Sequence, residues 1–181
     1  MLDGLASRQK TLVEIGVYEG VASCVIRRAM SPDAQLVLID PYPSGRIGIS
    51  VAELIAHREL RRIANGAVVF DRRFSFDVAV EWSESIDLLF YDAHNDYSGV
   101  KRDFEAWSRF LSSDGLYLLH TSRTSIAKPV SPTCGTVRFA NEIEALYPEF
   151  EIVGTLDSIS VISRRSISSV RRQQVVKLCT P

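Results

Sequence analysis

Residues 11–20 read Thr-Leu-Val-Glu-Ile-Gly-Val-Tyr-Glu-Gly, a short apolar run that stops at an acid and is followed by two glycines within one tight turn. An amphipathic segment from Val21 to Met30 begins at once. A second apolar run, Leu36-Val37-Leu38-Ile39, then ends in Asp40. Strand, glycine loop, helix, and an acid at the tip of the next strand is how doubly wound α/β folds hold a nucleoside, with the carboxylate on the ribose hydroxyls.

The rest of the chain continues the alternation. Apolar runs place strands near 11–16, 35–40, 66–71, 86–92 and 115–121, and amphipathic segments place helices near 20–30, 49–64, 76–82, 97–111 and 136–147. Ile86, Leu88, Leu89, Phe90 and Tyr91 form a nearly continuous apolar strand, as the buried centre of a parallel sheet requires. Such alternation predicts parallel strands, right-handed crossovers and helices on both faces. Phe150 to Thr155 and Ser158 to Ser163 are separated by little more than Leu156-Asp157, too short a link for a parallel crossover, so they pair as an antiparallel hairpin. The expected fold is α/β, a single Rossmann-like doubly wound sheet of five parallel strands plus a C-terminal antiparallel hairpin. The domain spans 1–165. Residues 166–181 are basic and Ser-rich, with Arg171, Arg172 and Lys177 and no acid. They read as a loosely docked tail, or as a contact with an anionic partner.

The chain has 181 residues, a hydrophobic content of 46% and a net charge of −1. Those values fit one globular domain with a full core, and near-neutral charge excludes bulk nucleic-acid binding, which needs a basic face. No apolar run approaches the roughly 20 residues of a membrane span. Without a basic segment leading into an apolar signal core, a cytoplasmic location is expected. The three cysteines, Cys24, Cys134 and Cys179, show no metal-ligand spacing, and reduced thiols are expected.

The loop spacing narrows the ligand. Gly16-x-x-x-Gly20 is not the G-x-G-x-x-G of dinucleotide folds, and its tip carries Tyr18 and Glu19. Glu19 beside the loop and Glu14 before it repel a phosphate and suit a cationic or amine-bearing ligand. That favours S-adenosylmethionine over a nicotinamide dinucleotide.

Val13 to Gly20 resembles motif I of the class I S-adenosylmethionine-dependent methyltransferases, in the form found in the small-molecule O-methyltransferase group called methyltransferase family 24. Ile86 to Asp92 with Ala93 to Phe104 is similar to that group's fourth-strand signature, and Ser113 to His120 to its fifth strand with the preceding turn. The resemblance covers about Thr11 to Arg165. It implies that Glu14, Gly16, Val17, Tyr18, Glu19 and Gly20 shape a loop around the methionine part of the cofactor. Asp40 would accept from the ribose hydroxyls with Pro41 beside it, Ser75 would lie near adenine, and Asp92 would face the substrate at the amino-acid end of the cofactor.

Methyl transfer is an in-line displacement with an excellent leaving group, so the protein mainly aligns the partners and excludes water. A hydroxyl nucleophile still gains from losing its proton. Asp92, His94 and His120, all at strand tips, are the candidate catalytic groups, with a general base among the imidazoles. Where the family has Asp-Gly-Asp-His this chain has Asp92-Ala93-His94-Asn95, and where it has His-Asp after the fifth strand this chain has His120-Thr121. Two carboxylates that hold magnesium in some relatives are therefore missing, which makes a divalent metal doubtful. The expected activity is O-methylation of a small molecule or sugar-containing metabolite. The alternative is a catalytically degenerate binding protein of the same fold. Pro41 to Arg62, Thr121 to Gly135, or a second copy of the chain in a homodimer would cover the site.

Overall fold

Successive residues of the first strand face opposite sides of the sheet, Leu12 to one packed layer and Val13 and Ile15 to the other. The structure, a computed structural model, describes residues 2–7, 9–45, 48–124 and 129–179. Its elements are α1 (Leu2–Ala6), β1 (Thr11–Ile15), α2 (Val21–Ala29), β2 (Gln35–Ile39), α3 (Val51–Arg61), β3 (Ala67–Asp71), α4 (Ser75–Glu81), β4 (Ile86–Tyr91), α5 (Tyr97–Trp107), β5 (Leu111–Leu119), α6 (Gly135–Leu146), β6 (Phe150–Leu156), β7 (Ile159–Arg164) and α7 (Ser169–Cys179). The strand order is β3-β2-β1-β4-β5-β7-β6. The first five strands pair in parallel, and β7 pairs antiparallel with both β5 and β6, the hairpin expected from its short link.

Register follows the side-chain period of two. Leu12 lies opposite Leu36 and Leu88, and Leu88 opposite Leu116; this row faces the layer of α1, α2, α3 and α7. Val13 lies opposite Val37 and Leu89, and Leu89 opposite Tyr117; that row faces α4, α5 and α6. On α5, Val100, Phe104 and Trp107 are fully buried at helical spacing, and Asp96 caps the helix by accepting from Gly99 N at 2.8 Å. The chain runs outward through β1, β2 and β3, then returns to the centre at β4. The carboxyl ends of β1 and β4 therefore flank the crevice where open α/β sheets bind ligands.

Two stretches differ from the sequence expectation. β5 starts at Leu111 rather than near 115, because Ile86 pairs with Leu111 and Leu88 with Leu116, leaving Ser112 to Gly115 as an irregular bulge inside the strand. The basic stretch set apart as a tail is, in its described part, the helix α7. It packs on β6 with Val175 fully buried, and Arg172 pairs with Glu151. Hydropathy did not reveal this helix because Arg171, at 8% exposure, also turns inward. No helix among the described residues is long and apolar enough to cross a membrane.

Candidate functional site

The sheet ladder continues one residue past the strand ends. Asp40 N donates to Asp71 O at 3.1 Å, Gly16 N to Ile39 O at 2.9 Å, Asp92 N to Ile15 O at 2.8 Å and His120 N to Tyr91 O at 3.0 Å. These bonds set Asp40, Gly16, Asp92 and His120 side by side along the carboxyl edge, although about a hundred residues separate the outermost in sequence.

The glycine loop is tight for steric reasons. Gly16 has φ +86°, and a Cβ there would lie 2.4 Å from Asp92 O, so the loop rests directly on the backbone leaving β4. Tyr18 holds a left-handed φ of 51° without being glycine, and its side chain is 69% exposed. Asp40 stabilises this turn. Its Oδ2 accepts from Val17 N at 2.9 Å and Tyr18 N at 3.0 Å, and its Oδ1 from Tyr42 N at 2.8 Å. The acid read as a ribose acceptor thus also fastens the loop; Oδ2 is taken up by its two amides, and Oδ1, accepting once, keeps a second lone pair for a ligand.

Tyr18 projects between two cavities of about 340 Å³ each. Gly16 and Asp92 border both. One is walled by Asp40, Pro41, Phe74, Ser75, Ala93 and His94, the other by Glu14, Val17, Val21, Phe90, Asp92 and His120. A third hollow of about 400 Å³ lies outside Tyr18, against Tyr42 and Ile49.

The candidate catalytic trio is divided between them. His120 Nδ1 lies 2.7 Å from Asp92 Oδ1, and the imidazole packs near the Phe90 ring with centroids 5.8 Å apart. His94 opens into the other cavity, with its Nδ1 3.9 Å from Asp96 Oδ2. Among the described residues no three His, Cys, Asp or Glu side chains gather as metal donors. One carboxylate and one imidazole do not fit magnesium, which demands near-octahedral oxygen coordination.

Glu14 is the polar exception in an apolar row, opposite Leu38 and Phe90. It is 1% exposed, and its Oε2 has no hydrogen-bond partner. Burial raises its carboxyl to about 8, Ser23 nearby opposes this, and the charges of Asp92 and Asp40 add to the rise. It still borders the second cavity.

Two residues outside the candidate set build this edge. Asp103, fully buried on α5, accepts from Ser75 Oγ at 2.7 Å and Tyr91 Oη at 3.0 Å, tying α4 and β4 to α5. Burial and this carboxylate push the Tyr91 phenol well above its usual range. An acid within the apolar stripe Val100, Phe104, Trp107 is the sequence signal that marks Asp103. Ser75 therefore commits its hydroxyl hydrogen internally and offers the cavity only an acceptor oxygen. Replacing Asp103 with alanine leaves two buried hydroxyl donors without their acceptor and is expected to cost about 2–4 kcal/mol of stability, measured by urea unfolding. The other is Thr136, whose hydroxyl donates to Thr121 O at 2.6 Å and anchors the chain leaving β5 to the start of α6. The cover expected from Thr121 to Gly135 is described only in part, since 125–128, including Lys128, lie outside the described residues.

Comparison with known proteins agrees with this architecture. Residues 13–122 match a family of methyltransferase domains, methyltransferase family 24. A solved structure of a protein from Corynebacterium glutamicum superposes with a TM-score of 0.68 at 16% identity, covering 92% of this chain and 79% of that one. The O-methyltransferase TomG from Streptomyces achromogenes, involved in tomaymycin synthesis and solved with S-adenosylmethionine, gives 0.62 at 18% identity, covering 90% and 76%. An O-methyltransferase from Bacillus cereus in complex with S-adenosylhomocysteine gives 0.64 at 16%, covering 91% and 77%. At these identities the likeness is one of fold. No curated protein matches the chain. The family match spans more than half of the sequence and includes the glycine loop, Asp40, Asp92 and His120, and on it the chain belongs to methyltransferase family 24 of the class I S-adenosylmethionine-dependent methyltransferases.

Proposed function

We propose that this protein methylates a hydroxyl oxygen of a small, largely apolar molecule. The observation that carries the reading is the 2.7 Å contact between His120 and Asp92 beside the glycine loop. S-adenosylmethionine, when bound, supplies a methyl group already activated on a sulfonium. The chain's residues do the rest. Asp40 holds the loop closed and would offer the spare lone pair of its Oδ1 to a ribose hydroxyl. Pro41, Phe74 and Ser75 provide a half-apolar wall for adenine. Glu14, ionised by a neighbouring ammonium, receives the amino-acid end.

Asp92 accepts from Nδ1–H of His120, which fixes the tautomer and places the neutral ring's lone pair on Nε2, the atom that takes the acceptor's proton. Val17, Val21 and Phe90 on the same cavity favour an aromatic or aliphatic alcohol and exclude water from the transfer. The cavity volume of about 340 Å³ suits a small molecule.

Calorimetry with S-adenosylhomocysteine tests the cofactor half. Binding is expected, and Asp40→Ala is expected to weaken it on the order of tenfold or more, because charge-assisted bonds to three loop amides are lost. No binding at millimolar ligand would overturn the reading. Transfer of labelled methyl to a panel of phenols, alcohols and sugars tests the chemical half; cofactor binding without transfer to any of them would favour a binding protein instead.

A further inference from the structure

At the opposite edge of the sheet, α1, the start of β5 and α7 enclose a cavity of about 500 Å³ that the methyltransferase site does not use. Arg171 lines it and is only 8% exposed. Its guanidinium donates to neutral oxygens alone: Leu5 O at 3.4 Å, Gln174 Oε1 at 3.5 Å and, with the Gln9 amide turned to present its oxygen, Gln9 Oε1 at 2.7 and 3.2 Å. Its Nε is buried without any acceptor. Among the described residues no carboxylate lies within ion-pair distance of it.

The two acids whose charges act on it do not contact it, although Asp114 lines the same cavity. Asp114 accepts from Ser168 N and Ser168 Oγ, both at 2.8 Å, and Asp87 accepts from Lys10 N, Thr11 N and Ser112 Oγ. Neutral carbonyls orient a buried guanidinium but do not neutralise it, and a buried charge without a counter-charge is costly. Lys177 brings a second cation to the same cavity, and Ser7 and Gln174 add hydrogen-bonding groups.

We propose that this cavity binds a small oxyanion of the phosphate or carboxylate class, with the planar fork of Arg171 as its anchor and Lys177 at its rim. The guanidinium geometry matches either oxyanion in a bidentate way. The ligand supplies the contacting anionic acceptor that Asp114 and Asp87, bonded to other groups, do not, and joins α7 to α1.

Thermal unfolding of the full chain tests this, with inorganic phosphate or citrate set against sodium chloride at matched ionic strength. A saturable rise in Tm of about 5 °C is expected with one or both oxyanions and not with chloride. Gln174→Glu supplies an internal carboxylate at a position already 3.5 Å from Nη1. It is expected to raise Tm without ligand and to abolish the oxyanion response. Arg171→Met keeps the side-chain length, removes the charge and should also abolish it; if that variant does not fold, Gln174→Glu decides alone. A response equal to that of chloride, no saturable response, or a full response in Gln174→Glu overturns the proposal.

Discussion

Replacing His120 with alanine is expected to lower the single-turnover rate of methyl transfer by about 10²–10⁴-fold, the usual contribution of a positioned general base. Cofactor affinity should stay within about twofold, since the imidazole acts on the acceptor. Asp92→Asn should fall between the variant and the native protein, because it retains an oxygen at the position now 2.7 Å from Nδ1 while losing the charge that steadies the imidazolium. His94→Ala is the control. Its side chain opens into the cavity walled by Pro41, Phe74 and Ser75, away from Glu14 and His120. It should alter cofactor affinity rather than the chemical step. Rapid-quench measurement at saturating cofactor separates the two effects, and equal losses in the chemical step for His94→Ala and His120→Ala would remove His120 from the role of base.

Sequence alone could not separate these two histidines. Both follow acids or apolar strands, and both fall at strand tips. Their division depends on which cavity each tip faces, and that is set by the course of the backbone beyond Asp92. The parallel core was legible because each central strand is a short, nearly continuous apolar run, and the sheet places one leucine from each, Leu12, Leu36, Leu88 and Leu116, in one row. The final hairpin was legible from link length alone. Asp40 was legible as an acid at the tip of the second strand, but its bonds to Val17 N and Tyr18 N were not, since they arise only when the loop turns left-handed at Tyr18. The helix α7 escaped because its stabilising face is assembled from distant partners: Glu151 takes Arg172, and the Leu5 carbonyl takes Arg171. No local pattern shows where such cations will be buried.

Glu14 gives the protein an unusual dependence of stability on pH. In the unfolded chain its carboxyl ionises near the ordinary glutamate value of about 4.3. In the folded chain burial holds it protonated up to about 8. Between those values the native state keeps a proton that the unfolded state has released, so the slope of stability with pH is negative. The contribution is fully present below about pH 4.3, declines as pH rises, and is gone above about pH 8. Its ceiling is about 5 kcal/mol, from 1.36 kcal/mol per pH unit over the interval. Glu14→Gln has the same shape and no charge to desolvate. Urea unfolding at pH 5, 7 and 9 should show the variant gaining on the native protein by several kcal/mol toward high pH, and parallel curves would show that Glu14 ionises normally. The gain comes at a cost in function. A cationic amino group arriving beside Glu14 favours its carboxylate, so cofactor binding at pH 7 should release up to about one proton, seen as a binding enthalpy that differs between phosphate and Tris. In Glu14→Gln that buffer dependence should vanish and affinity should fall. The same buried oxygen that strains the folded core at alkaline pH is then the one that the ligand's charge satisfies.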